Sequence, residues 1–132
     1  MTGLTLREGT YTMRLLLVED NTMDALLMQE AFSESAHELI HVTTGEDALT
    51  YLQQHTVDAV LLDLNLPGLS GADVLRELRD IPATRSVLVI ALLATSREAD
   101  WWQGRGLRPD AFASKPATPQ DVSDACLART DP

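Results

Sequence analysis

VLLDLNLPG, Val60 to Gly68, decides the fold. Val60-Leu61-Leu62 has the unbroken apolar character of a strand buried on both faces, stops at a carboxylate, Asp63, and then turns at Pro67-Gly68. Such an acid is expected to stand exposed at the strand end, and its purpose depends on what stands at the ends of the other strands.

Four more apolar runs of strand length occur, Leu15 to Val18, Leu39 to Val42, Val87 to Leu93 and Ala111 to Ala113, with Ala59 to Leu62 as the third of five. Segments of helical length separate them. Thr44 with Asp47, Ser70 with Asp73, Thr95 with Glu98 and Thr118 with Asp121 predict capping boxes, in which a hydroxyl accepts from the N3 amide and the N3 acid reaches back. Pro119 falls at a first helical position, where its missing N–H costs nothing. Val74, Leu75 and Leu78, then Ala48, Leu49 and Leu52, then Val122, Ala125 and Cys126, each mark one apolar helix face. Five strands alternating with five helices predict a doubly wound α/β domain, a parallel sheet covered on both faces by right-handed crossovers. Residues 13–130 form this domain. Residues 1–12, polar and without a period, are expected to be a loose N-terminal extension.

The bulk numbers agree with a single domain: 132 residues suit one core, and no separate output domain is expected beside it. The chain has no run of eighteen apolar residues and no leader pattern, so a cytoplasmic protein with no membrane partner is expected. A net charge of −10 opposes general binding to nucleic-acid phosphates or anionic lipid, and suits a divalent cation wherever the acids cluster. Cys126 is the sole cysteine and forms no internal disulfide; it reads as a small helix-face residue. His37, His41 and His55 lack metal-ligand spacing.

In such a sheet, ligands bind beyond the carboxyl ends of the strands. The first strand ends in Glu19-Asp20-Asn21, the third in Asp63-Leu64-Asn65, the fourth in Leu93-Ala94-Thr95-Ser96 and the fifth in Ser114-Lys115-Pro116. Three acids and a lysine therefore converge. Close carboxylates repel, and a bound cation relieves them. Their hard oxygens suit Mg2+, which prefers to share its site with a phosphoryl group, and Lys115 offers that group a compact positive charge. Asp63 is the candidate nucleophile.

LLLVEDN, VLLDLNLPG and SKP, in this order and at these strand ends, resemble the receiver domain of two-component response regulators, over Arg14 to about Arg129. The resemblance implies a CheY-like, flavodoxin-like (βα)5 three-layer sandwich with strand order 2-1-3-4-5. It implies that Asp63 accepts a phosphoryl group from the phosphohistidine of a sensor histidine kinase. Glu19, Asp20 and Asp63 would hold Mg2+, with the Asn65 backbone carbonyl as a further ligand. Lys115 would pair with the phosphoryl oxygens, a cis Lys115-Pro116 peptide would aim it, and Phe112 falls on the aromatic switch position. LLVEDN, QEAF, TTGEDALTYL and DLNLPG are further similar to single-domain regulators that partner bacterial and cyanobacterial phytochromes. A protein of this kind signals by contact or passes its phosphoryl group to a histidine phosphotransfer protein, and is not an enzyme beyond its own phosphorylation and dephosphorylation.

One position departs from the receiver pattern, which puts a Ser or Thr hydroxyl at the end of the fourth strand. Counting from Asp63 or back from Lys115 lands on Leu93, and aligning the downstream Thr-Ser pair lands on Ala94. Thr95 is the nearest substitute, with a helix N-cap as its competing role. The alternative function is thus a degenerate receiver that binds partners or dimerises without phosphorylation. A magnesium-dependent phosphatase would want a second acid two residues after the nucleophile, and Asn65 stands there. No G-x-G-x-x-G follows the first strand, which disfavours dinucleotide binding.

Trp101-Trp102 stands apart from this chemistry. Adjacent helix positions do not face the same core. With Arg105, Arg108 and Phe112 the pair marks the face of the fourth helix, fifth strand and fifth helix as an expected homodimer interface, against the plainer reading of one core and one surface tryptophan.

Overall fold

The computed structural model describes residues 5–7, 10–106 and 108–130. Two short strands, β1 (Thr5–Arg7) and β2 (Thr10–Thr12), pair antiparallel in a ribbon of their own. Thr10-Tyr11-Thr12, β-branched residues about an aromatic one, suits such a ladder, and apart from these two strands residues 1–12 lie outside the described residues.

From Arg14 onward the elements alternate strictly: β3 (Arg14–Val18), α1 (Thr22–Phe32), β4 (Glu38–Val42), α2 (Gly45–Gln54), β5 (Ala59–Asp63), α3 (Gly71–Asp80), β6 (Leu88–Leu93), α4 (Ser96–Gly104), β7 (Ala111–Ser114) and α5 (Pro119–Thr130). The main sheet runs β4-β3-β5-β6-β7 with every pairing parallel, which is the order 2-1-3-4-5 counted within that sheet. Each predicted strand is present to within one residue at either end.

Period-two alternation along these strands splits the core in two. Leu15 and Leu17, Ala59 and Leu61, and Leu88, Ile90 and Leu92 join one cluster with Ala25, Met28 and Phe32 of α1 and Val122 and Ala125 of α5. Their alternates Leu16 and Val18, Val60 and Leu62, and Val89 and Ala91 join the other with Ala48 and Leu52 of α2, Val74, Leu75 and Leu78 of α3, and Trp102 of α4. With both faces filled, polar chemistry is left to the sheet edges and strand ends.

The predicted helix starts are in place, with one exception. Ser70 and Asp73 form a complete capping box, Thr44 accepts from the Asp47 amide, and Thr118 and Asp121 bond reciprocally. Thr95 is the N-cap of α4 by backbone conformation, yet its hydroxyl makes no cap hydrogen bond. Cys126 is half-buried with its Sγ 3.6 Å from Met13 Sδ, and burial pushes its thiol pKa up.

Candidate functional site

The carboxyl ends of β3, β5 and β7 bring the predicted residues together. Glu19 and Asp20 follow β3, Asp63 ends β5 and Lys115 follows β7. Glu19, Asp20 and Asp63 each offer a carboxylate oxygen within 4.8 Å of the others. Lys115 Nζ lies 2.8 Å from Glu19 Oε1, 3.1 Å from Asp63 Oδ1 and 3.3 Å from Asp24 Oδ2. Asp24, at the N3 position of α1, is a site residue that sequence reasoning misses; its one legible signal is a place one helical turn beyond Glu19-Asp20-Asn21.

Sequence reasoning also expects an exposed acid at the strand end, whereas Asp63 is 3% exposed and Glu19 fully buried. The difference has a physical origin: Lys115 lies across both carboxylates, and Leu64 and Leu66, just after Asp63, are drawn into the second core. Asp20 remains at the surface.

Local sequence features fix this arrangement. Gly71 starts α3 so close to β5 that a Cβ there would sit 2.2 Å from the Asp63 carbonyl oxygen and 2.9 Å from Leu64 Cα. Its amide donates to Leu64 O at 2.9 Å, so α3 begins directly against the site. Gly68 supplies the turn at φ 73°, as Pro67-Gly68 predicted. Glu19 is held by its own backbone, its N–H donating to Val42 O and its carbonyl 2.8 Å from His41 Nε2, while its Oε2 accepts from the Asn21 amide. The Lys115 amide donates to Leu93 O at 2.9 Å, and the Lys115–Pro116 peptide is cis.

The electrostatics follow from four acids facing one base. Burial, and then the charge of Glu19, push the Asp63 carboxyl up to about 6 against the opposing pull of Lys115. For Lys115 burial works against the charged form, but hydrogen bonds to Glu19 and Asp63 and their charges win, holding the ammonium above its ordinary range. Glu19 Oε1 is buried and, apart from its ion pair with Lys115, has no hydrogen-bond donor. Clustered hard oxygens that share a single ammonium fit a small divalent cation.

The flank built by β6 and α4 is different. Asp63 and Leu92 are register partners, so Leu93 and Ala94 are the residues that rise past the acid, and neither carries a hydroxyl. Thr95 is exposed. Glu98, predicted to complete a capping box, turns instead toward the site: its Oε1 accepts from the Ala94 amide at 2.9 Å and its Oε2 from Asn65 Nδ2 at 3.1 Å.

On α4 the two tryptophans divide as the plainer reading expected. Trp102 is fully buried with its Nε1 lacking a partner, while Trp101 is half-buried with the Arg105 guanidinium 3.8 Å above its ring. Phe112 is half-buried against the Trp102 cluster, and Arg108 is exposed. A cleft of about 310 Å³ opens between the loop after β5 and α4, lined by Leu64, Asn65, Ser70, Arg97, Glu98 and Trp101. Among the described residues no helix is long and apolar enough to cross a membrane.

Comparison with known proteins agrees with this geometry. The family profile described as response regulator receiver domain matches residues 15–126. The polar-differentiation response regulator DivK of Brucella ovis is 32% identical over 105 residues, covering 80% of this chain and 85% of the relative. Among solved structures, the bacteriophytochrome response regulator AtBRR superposes with a TM-score of 0.80 at 29% identity, over 89% of this chain and 91% of that one. The receiver domain of a sensor histidine kinase from Pseudomonas aeruginosa PAO1, with a magnesium ion coordinated in its active-site cleft, gives 0.76 at 26% identity, over 89% and 96% of the two chains.

Proposed function

The chain belongs to the response regulator receiver domain family, and from that premise we propose that it takes a phosphoryl group on Asp63 from the phosphohistidine of a sensor histidine kinase and signals its state by protein contact or onward transfer. The observation that carries this is the convergence of Glu19, Asp20, Asp63 and Lys115 at the carboxyl ends of the strands. Residues 13–130 carry the role, with residues 1–12 as an extension.

With its carboxyl at about 6, Asp63 is mostly ionised at pH 7 and serves as the nucleophile. Its oxygen forms a bond to phosphorus as the phosphorus–nitrogen bond of the donor breaks, and the departing imidazole nitrogen keeps the electron pair and takes a proton. Lys115, within 3.1 Å of the attacking carboxylate, follows the transferred group and pairs with its oxygens. Mg2+ held by Glu19, Asp20 and Asp63, with the Asn65 carbonyl, would supply the charge that neutralises the phosphoryl oxygens. Glu19 stays fixed through its backbone bonds to Val42 and His41, so the acid pair is positioned before any ligand arrives. The kinase is proposed to be a bacteriophytochrome, on the likeness to AtBRR. The half-buried Trp101 with Arg105, and Phe112, form the face for a homodimer.

The missing hydroxyl at Leu93 and Ala94 favours one second reading, a receiver that works through contacts alone. Intact mass after incubation with Mg2+ and acetyl phosphate, and with a cognate kinase, decides between them. Gain of one phosphoryl group by the wild type and none by Asp63→Asn is expected. No gain from either donor would leave the phosphorylation-independent module.

A further inference from the structure

Glu98 spans the two loops that flank Asp63 on the side away from the acids. Asn65 stands two residues beyond Asp63, and Ala94 two residues beyond Leu92, the register partner of Asp63. The carboxylate of Glu98 therefore closes the gap between the ends of β5 and β6, accepting from Asn65 Nδ2 with one oxygen and from the Ala94 amide with the other. It does so from the first turn of α4, where its own amide donates to Thr95 O. A carboxylate thus bridges the flank that Leu93 and Ala94 leave without a hydroxyl.

We propose that Glu98 is a charge latch that holds the β6–α4 loop to the β5–α3 loop at rest and is released when a phosphoryl group arrives on Asp63. This rests on the phosphoacceptor reading and names how that site is coupled to α4. A phosphoryl group brings close to two negative charges and three acceptor oxygens. That charge repels the Glu98 carboxylate, whose two donors, Asn65 Nδ2 and the Ala94 N–H, become available to the new oxygens. Because Glu98 is part of the first turn of α4, its departure moves that turn and reshapes the cleft lined by Arg97 and Trp101. The hydroxyl of a usual receiver pulls its loop inward by gaining a bond; here the loop is freed by losing one.

The test follows the Asn65 side-chain amide and the Ala94 backbone amide by NMR in the wild type, Glu98→Ala and Glu98→Gln, each with Mg2+ alone and with Mg2+ and beryllofluoride. Phosphorylation by acetyl phosphate is followed by intact mass in parallel. In the wild type the mimic should move both resonances together. In Glu98→Ala both should already be displaced with Mg2+ alone, and phosphorylation should be about tenfold faster, the equivalent of one hydrogen bond to a charged acceptor at an exposed site. Glu98→Gln keeps an acceptor without the charge and should fall between. Resonances unmoved by the mimic in a wild type that does become phosphorylated, or equal rates in all three proteins, would overturn the latch alone. A wild type that gains no group from any donor would overturn the phosphoacceptor reading and the latch with it.

Discussion

The two ends of the parallel sheet handle charge in opposite ways. At the amino ends, Arg79 of α3 donates to the carbonyls of Arg85 and Val87 and pairs with Asp110 at 2.9 Å, and Asp110 in turn accepts from the Val89 amide at 2.7 Å. Each donor there meets an acceptor. At the carboxyl ends Lys115 alone faces Glu19, Asp24 and Asp63, with Asp20 beside them, and the buried Glu19 Oε1 has no partner besides that one ammonium. The settled end holds the fold together, and the unsettled end is left with a surplus of negative charge that a cation can relieve.

The largest effect is expected where the unsettled end is joined to the scaffold. Gly71→Ala puts a methyl 2.2 Å from the Asp63 carbonyl and 2.9 Å from Leu64 Cα, both backbone atoms that cannot swing aside. A loss of more than about 4 kcal/mol is expected, enough to unfold a domain of ordinary stability. Gly104→Ala is the control: nothing lies within 4 Å of its added Cβ, and a change of no more than about 1 kcal/mol should be seen by urea denaturation. Equal behaviour of the two would show that α3 has slack against β5.

At the settled end, Asp110→Ala strips the Val89 amide and Arg79 of their shared acceptor. A loss of about 2 kcal/mol is expected, at the scale of a partly buried hydrogen bond to a charged group. The same measurement on Asp63→Asn should have the opposite sign. Folding raises the Asp63 carboxyl from 3.8 to about 6, so the folded state binds the proton more tightly and the ionised form costs stability. That cost is absent below about pH 4, grows as pH rises through 6, and is full above it. The full shift corresponds to about 3 kcal/mol, and the buried Asn amide gives back part of it, so with metal chelated Asp63→Asn should be more stable than the wild type by roughly 1–2 kcal/mol at pH 7.5 and indistinguishable from it near pH 4. Added Mg2+ should erase the difference by stabilising the wild type alone. A mutant no more stable at pH 7.5 would mean that Lys115 fully neutralises the cluster.

What the sequence displayed of this was uneven, for reasons visible in particular residues. Strands buried on both faces, such as Leu15 to Val18 and Val60 to Leu62, read as unbroken apolar runs, and strand ends follow from them, so Glu19, Asp20, Asp63 and Lys115 were legible as a group. Ser70, Thr44 and Thr118 announced their helices because a cap is settled within four residues. Glu98 has the local pattern of a cap residue and departs from it, since its partners Asn65 and Ala94 come together only once the sheet has formed. Asp24 was hidden for the same reason: its contact with Lys115 spans 91 residues. In α1, Ala25, Met28 and Phe32 are buried while Met23, Leu26 and Leu27 are exposed, so apolar spacing marks no single face.

The smallest predicted effect bears most on how the site is coupled to the rest of the molecule. Leu93→Thr installs a hydroxyl at the position reached by counting from either Asp63 or Lys115, on a residue whose carbonyl already receives the Lys115 amide. Leu93 is half-buried against the second core, so losing its isobutyl group should cost only about 1 kcal/mol. Calorimetric titration with beryllofluoride and Mg2+ then separates two accounts of the unusual flank. If the backbone there is that of an ordinary receiver and only the hydroxyl is missing, the introduced threonine supplies one more hydrogen bond and the mimic binds roughly three- to tenfold tighter. Unchanged affinity would mean that the loop itself is differently placed, held by the Glu98 bonds to Asn65 and Ala94. Combining Leu93→Thr with Glu98→Ala should then release the gain that the single substitution lacks.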